Sequence, residues 1–412
     1  MGGLARRAGL ILERRKSGPS VLLLDSGDFF FRDQTLQQFE LAQATRKAEI
    51  LAQAAKIMGY SLVVPGESDL ALGLTKYREL VKMAGMHPIC ANLKVGNELA
   101  FPATAMCEVG GLRVGFLGLL SVQRPLPQDQ GKTLLVDNVV ECCKAAVRSL
   151  SGKVDVIIAL THQGADLDRS MCRLVPGIDL IIGGHSRETL GSGTIIEKTA
   201  VYQAGYQGKY MGHVELKPAR RDPGASKALR TPAERVISEA IPVDLSIKED
   251  PKTAALVAGY NKWVTDEARK VSQASPQPTR EDTSDVYWGA TLCGQCHPKH
   301  DEFWKGTLHA HAFETLKKKN KTQDVECLAC HTTGFAKTRN RPETKSITDV
   351  TGLESVQCES CHAPGSRHNT PEIRTRASLK ATCVSCHDAK NSPKFDFETW
   401  LPRVRCPKGT TM

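Results

Sequence analysis

The pattern Cys-x-x-Cys-His occurs four times in the last third of the chain, and it constrains the fold more than any other feature. The copies are Cys293-Gly-Gln-Cys296-His297, Cys327-Leu-Ala-Cys330-His331, Cys358-Glu-Ser-Cys361-His362 and Cys383-Val-Ser-Cys386-His387. In each, two thiols are spaced to add across the two vinyl groups of one haem, and the next residue offers an imidazole to the iron. The eight cysteines are therefore candidate attachment points, and His297, His331, His362 and His387 candidate proximal ligands. A pair of four-cysteine zinc sites would use the same Cys-x-x-Cys spacing. Zinc leaves the histidine after every second cysteine unexplained. Four haem c groups are the expectation.

From residue 286 onward the sequence has few aliphatics and no strand periodicity. About 125 residues of this kind cannot build an ordinary core, so the porphyrins must supply the apolar mass and the haem-free region should be unstable. Four further histidines, His300, His309, His311 and His368, are candidate distal ligands that would make bis-His centres; the alternative is plain surface histidine. Asp301–Lys317 reads as one helix. His309 and His311 would then point about 200° apart and could not serve the same haem face.

Hydrophobic content of 41% and charged content of 24% are ordinary for a globular chain, and 412 residues allow two or three domains. No apolar run approaches the ~20 residues of a membrane span. The formal charge of +10 is scattered apart from Lys317-Lys318-Lys319-Asn320-Lys321. Haem propionates would offset much of it, which argues against a nucleic-acid partner and leaves redox partner proteins; oligomeric state is not legible. Cys90, Cys107, Cys142, Cys143, Cys172 and Cys406 follow no metal spacing. The first five read as buried free thiols, with a vicinal Cys142–Cys143 disulfide as the alternative. Haem attachment implies export to the periplasm, yet Met1 to Lys16 is amphipathic and Arg-rich, with no signal-peptide h-region. The expectation is that the true start lies upstream.

The first 271 residues alternate strands and helices, as in a layered α/β domain. Strands are expected at Val21–Leu24, Ser61–Val64, His87–Ala91, Thr104–Val109, Leu112–Leu119, Val154–Leu160, Ile178–Ile182, Thr194–Ile196, Val201–Ala204 and Met211–Leu216. Helices are expected at Leu4–Arg15, Leu36–Met58, Thr75–Met83, Asp137–Leu150 and Lys252–Val271. Residues 217–271 contain a polar excursion and this last helix. Residues 272–285 read as a linker by their Pro, Ser and charge content, and 286–412 as the haem domain. Asp28, Glu67, His162 and His185 each follow a strand, where open α/β sheets place their ligands. Singly they read as a helix cap, a turn and buried polar residues; together they suggest an oxygen/nitrogen metal site.

Two resemblances sharpen this. Trp304-Lys-Gly-Thr-Leu-His309-Ala-His-Ala-Phe313, Cys327-Leu-Ala-Cys-His-Thr-Thr-Gly-Phe335 and Val356-Gln-Cys-Glu-Ser-Cys-His-Ala-Pro-Gly-Ser-Arg-His368 resemble the tetrahaem cytochromes that accept electrons from hydroxylamine oxidoreductase. This implies closely stacked haems, mostly bis-His, with His309 and His368 favoured as distal ligands and one haem able to stay five-coordinate. Gly2-Gly-Leu-Ala-Arg-Arg7, Val21-Leu-Leu-Leu-Asp-Ser-Gly-Asp-Phe-Phe30, Ala159-Leu-Thr-His-Gln-Gly164 and Ile181-Ile-Gly-Gly-His-Ser186 resemble the 5′-nucleotidase branch of the calcineurin-like metallophosphoesterases. A β-sandwich flanked by helices is implied, with two metals that polarise a phosphate and generate hydroxide.

The second resemblance is degenerate. The family's opening Asp-x-His strand is not in this chain. Its Gly-Asn-His-Glu/Asp is here Gly66-Glu67-Ser68-Asp69, and its Gly-His-x-His is Gly184-His185-Ser186-Arg187. Of the first metal's ligands only Asp28 remains, whereas Asp28, Glu67, His162 and His185 could form the second site. The resemblance therefore implies at most one divalent ion (Mn, Zn or Fe), with Arg187 a fixed charge where the other metal would sit and a candidate anion holder. The reading adopted is a periplasmic multihaem electron carrier with a degenerate phosphoesterase-like domain. The alternatives are a metal-dependent phosphoesterase with a cytochrome module, and a haem-based reductase of a small nitrogen or sulfur compound.

Overall fold

The computed structural model describes residues 3–17, 21–129, 131–216, 236–274, 286–335, 350–367, 376–388 and 391–407. Two compact units emerge, Met1–Leu36 with Ala44–Tyr260, and Gln37–Gln43 with Asn261–Met412. Composition suggested a division at residues 272–285. The division by contacts falls earlier, inside a helix, and assigns a short upstream segment to the second unit.

The first unit runs α1 (Leu4–Ser17), β1 (Leu24–Asp25), α2 (Leu41–Met58, entering from the second unit), β2 (Leu62–Val63), α3 (Gly73–Ala84), β3 (His87–Pro88), β4 (Leu93–Val95), β5 (Glu98–Leu99), β6 (Thr104–Val109) and β7 (Leu112–Leu120). It continues with β8 (Leu134–Val136), α4 (Val139–Leu150), β9 (Val156–His162), α5 (Ala165–Leu174), β10 (Leu180–Gly183), β11 (Thr189–Ile196), β12 (Thr199–Ala204), β13 (Tyr210–Leu216), β14 (Val236–Pro242) and α6 (Pro251–Ala274), which crosses into the second unit.

A six-stranded sheet, ordered β11-β12-β10-β9-β7-β6, forms the centre. Its inner strands are parallel and its edge strands β6 and β11 antiparallel. Every residue of β9 is buried, as a parallel strand covered on both faces requires. Alternation divides its side chains. Ile157 and Ala159 pack under α4 and α5 with Val147, Leu150 and Met171. Val156, Ile158 and Leu160 face Leu62, Val64 and Ile89 from the smaller parallel sheet β1-β2-β3. That second contact is the sandwich interior. The first unit is thus a β-sandwich flanked by helices, as expected.

Several boundaries differ. The strand expected at Val21–Leu24 pairs only over Leu24–Asp25, because the chain turns at once through Gly27 and Asp28, both at positive φ. His87–Ala91 shortens to two residues and β11 begins five residues early, at Thr189. β14 was not foreseen; it pairs antiparallel with β13. The excursion at 217–232 lies outside the described residues, and α6 runs on over Ser272–Ala274, which composition assigned to the linker. Of the five first-domain thiols, Cys90, Cys143 and Cys172 are buried but Cys107 and Cys142 only half-buried; Cys142 and Cys143 are both free rather than joined.

The second unit is mostly helical and irregular, as expected. The helix expected over Asp301–Lys317 is three pieces: Pro298–Lys305, a 3₁₀ turn at Leu308–His311, and Ala312–Lys317. Gly306 ends the first by donating to the Phe303 and Trp304 carbonyls. Its apolar cluster is small: Phe313, Leu316, Val325, Leu328, Phe335 and Val350, with Phe39 against it. Val286, Trp288, Leu292, Leu308 and Val384 stay exposed. Among the described residues, no helix of either unit is long and apolar enough to cross a membrane.

Candidate metal and haem sites

Two turns and two strand ends converge at the first unit's carboxyl edge. His162 ends β9, and His185 lies just past β10 in a loop where His185 and Arg187 both adopt positive φ, at 77° and 62°. Asp28 has φ 56°. Three non-glycine residues in this region mark stored strain. Gly66 is there because a Cβ would run into Asp28, and Gly27 because one would come within 2.7 Å of the His162 ring.

His162 Nδ1 lies 2.6 Å from the Ser26 carbonyl and can only donate to it. Its Nε2 then points at Glu67 Oε2 (3.2 Å) and Asp28 Oδ2 (3.5 Å). His185 Nδ1 is 3.1 Å from Glu67 Oε1 and 3.4 Å from His162 Nε2, while its Nε2 meets the Gln123 amide at 3.2 Å. A neutral His162 would set a lone pair against a carboxylate oxygen, so the arrangement requires a proton or a cation between them. The electrostatics agree. Burial alone would raise the Glu67 carboxyl, but hydrogen bonds to His162 and His185 pull it well below the usual range. Burial would lower His162, yet Asp28 and Glu67 hold it well above. Glu67 Oε2 is buried, with His162 Nε2 as its near partner at 3.2 Å.

Glu67, His162 and His185 bring one ligand atom each within 4.8 Å of one another. These three fit a single divalent metal; His162 is oriented by donating its other nitrogen to the Ser26 carbonyl, as metal ligands usually are, whereas His185 Nε2 accepts from the Gln123 amide. Asp28 is not one of the trio. Its oxygens accept from Ser68 N (2.8 Å) and Ser68 Oγ (3.0 Å), which draws it to the rim. Arg187 stands two residues beyond His185, half-buried.

Behind the histidines lies a network that the sequence reading missed. Buried Asp168 accepts from Thr161 Oγ1 (2.7 Å), Gln163 Nε2 (2.8 Å) and Gln203 Nε2 (3.1 Å). Ser186 Oγ donates to Gln203 Oε1 at 2.8 Å and accepts from Ala165 N. The turns holding His162 and His185 are thereby tied to one carboxylate. An aspartate in the first two turns after a ligand-bearing strand was the available signal.

In the second unit each repeat occupies one helical turn. His297, His362 and His387 donate their backbone N–H to the carbonyls of Cys293, Cys358 and Cys383, and Val325–His331 is helical throughout. One turn puts positions i, i+3 and i+4 on one face, so both thiols and the imidazole are presented together. The ring nitrogens are also set. His331 Nδ1 lies 2.7 Å from the Ala312 carbonyl and must donate to it; His387 Nδ1 lies 2.9 Å from Ser392 Oγ. Nε2 is left for iron in both. Phe395 stacks on His387 at 4.7 Å and 10°.

The distal candidates separate. The His309 and His387 rings stand 6.0 Å apart; two imidazoles with nitrogens about 2 Å from a shared metal would be separated by roughly this much. Burial lowers the proton affinity of His309, keeping it neutral. His300 Nε2 instead meets the Pro407 carbonyl, and His311 Nε2 the Lys305 carbonyl, each at 3.1 Å. His368 lies outside the described residues.

The second repeat is anchored from far upstream, which no local signal could have shown. Asp324 caps the helix Val325–His331 by accepting from Glu326 N. Gln43 Nε2 donates to Asp324 Oδ1 at 2.6 Å and Gln43 Oε1 accepts from Val325 N at 3.2 Å. Phe39 meets Phe335 edge to face at 5.7 Å.

Against known proteins, the family described as cytochrome c554 and c-prime matches residues 292–363, which include the first three repeats. The 5′-nucleotidase of Bos taurus is 27% identical over 291 residues, spanning 64% of this chain and 47% of that protein. This chain thus spans about half the length of the curated relatives it matches. Among solved structures, a 5′-nucleotidase precursor from Thermus thermophilus superposes with TM-score 0.54 at 24% identity, over 64% of this chain and 54% of that one. The calcineurin-like phosphoesterase YfkN from Bacillus subtilis gives 0.52 at 20%, over 65% and 91%. A 5′-nucleotidase-type calcineurin-like phosphoesterase domain is joined here to a cytochrome c module.

Ser68 Oγ donates to Asp28 Oδ2 at 3.0 Å, so its proton is already committed. Glu67 brings the one carboxylate of the trio. The cytochrome module supplies the helical turns that hold the repeats.

Proposed function

We propose that this chain is an extracytoplasmic electron carrier with four covalently bound haems, and that its phosphoesterase domain holds one divalent metal and hydrolyses nucleotides poorly. The observation that carries the reading is the repeated helical turn presenting two thiols and one imidazole, with Nδ1 of His331 and His387 already engaged. Each haem, when bound, supplies a one-electron iron couple. The cysteines fix the porphyrin edge. The Nδ1 contacts orient the rings and, in the case of the Ala312 carbonyl, raise the imidazole's basicity toward iron. His309 and His387 would together hold the iron of one haem, and His368 is a further candidate ligand. Redox proteins are the expected partners. Glu67, His162 and His185 are the metal ligands, with Asp28 at the rim and Arg187 offering positive charge to an anion.

Weak hydrolysis follows from Ser68 and Arg187 replacing two of the family's functional histidines. A second reading, a haem-based reductase of a small nitrogen or sulfur compound, is favoured by His300 and His311, whose Nε2 atoms face backbone carbonyls; one haem would then keep an open face. The test uses full-length protein from a host that attaches haem. Phosphatase assays with added manganese or zinc should give little turnover, and rapid nucleotide hydrolysis would overturn the assignment. Carbon monoxide binding to a single reduced haem would favour the reductase reading; no binding would favour four bis-His carriers.

A further inference from the structure

Two imidazoles and one carboxylate around one point are a different donor set from the one a dinuclear phosphoesterase uses. Resting on the reading that Glu67, His162 and His185 hold one metal, we propose that this metal is iron, bound as a mononuclear ferrous centre with coordination positions open to a small exogenous ligand.

The donor set narrows the choice. The absence of thiolate from the trio argues against copper(I) and iron–sulfur chemistry, and a single carboxylate with two imidazoles is too nitrogen-rich for magnesium or calcium. Three protein donors cannot close a structural zinc site, which takes four. Zinc with two histidines and one glutamate is the strongest competitor, since that set also serves zinc hydrolases.

Two observations favour iron. The Asp28 carboxylate lies 3.5 Å from His162 Nε2, so a second negative charge borders the site. With Glu67 it balances a divalent ion fully, and a trivalent one becomes accessible, which matters only for a redox metal. Finally, Ser68 leaves no acid for hydrolysis, while the same chain carries four haem-attachment motifs. The two-histidine, one-carboxylate arrangement with open positions is the established setting for non-haem ferrous iron.

The experiment takes the full haem-loaded chain, purified without oxygen. Total iron by plasma mass spectrometry is compared with haem iron by pyridine haemochrome, alongside zinc and manganese. One iron per chain in excess of haem is expected. It should fall at least about tenfold in Glu67→Gln and His185→Ala, with haem content unchanged. Nitric oxide on the reduced protein should give a high-spin non-haem iron–nitrosyl signal that Glu67→Gln lacks. If zinc or manganese occupies the site and persists after ferrous reconstitution, iron is refuted while the single-metal reading stands. If no non-haem metal binds, or two do, the single-metal reading itself fails.

Discussion

Gln43 gives the most direct measure of how the second repeat is held. Its side chain is 6% exposed and bridges Asp324 and Val325 N at the start of the helix carrying Cys327, Cys330 and His331. Gln43→Ala removes a hydrogen bond to a charged acceptor, worth about 1.5–3 kcal/mol, and strands a buried N–H, costing about 1–3 kcal/mol. Lys321 still holds Asp324 Oδ2 at 3.2 Å, which recovers part of the loss. A net destabilisation of about 3 kcal/mol is expected, lowering the melting temperature of a unit this size by roughly 6–12 °C. The assay is thermal unfolding of the haem-loaded chain followed in the Soret band. A potentiometric titration should show one haem potential moving and the others fixed. The control is Gln34→Ala, which removes an exposed bond to the Pro125 carbonyl and should stay within about 0.5 kcal/mol. A Gln43→Ala protein that melts and titrates like the parent would refute the assigned anchor.

Other perturbations have defined outcomes. Gly66→Ala drives a Cβ into Asp28 and should cost about 2 kcal/mol or more, with loss of non-haem metal measured by mass spectrometry. Asp168→Asn turns an acceptor of three hydrogen bonds into a group that must present N–H to one donor; a loss of about 1–3 kcal/mol is expected, together with weaker metal retention in a chelator competition. Burial raises Asp25 to about 6 despite the attraction of Arg7. The folded state thus favours protonated Asp25, so this contribution to stability is complete below the ordinary aspartate pKa and is lost as pH rises to about 6. Asp25→Asn should abolish that decline and gain at most about 3 kcal/mol above it, as read from urea unfolding across pH.

Much of this molecule was legible because its signals are local. A CxxCH repeat needs one helical turn, and a parallel strand such as Val156–His162 reads as an unbroken apolar run. What escaped was set by distance or by competition. Gln43 and Asp324 are 281 residues apart, and nothing near either predicts the pairing. The helix expected over Asp301–Lys317 has the right residue types but is interrupted at Gly306. Asp28 was grouped with Glu67, His162 and His185 as an equal, whereas Ser68, adjacent to Glu67, claims both its oxygens. One neighbour, Ser68, thus sets how Asp28 is held.

The proposed function is a four-haem electron carrier whose first unit has a phosphoesterase-like fold. It is tested most directly by intact mass and a reductive titration of the same full-length preparation. Four haem additions and four haem-borne electron equivalents per chain are predicted, with negligible nucleotide turnover. Fewer than four attached haems, or a preparation that hydrolyses nucleotides rapidly, would contradict it.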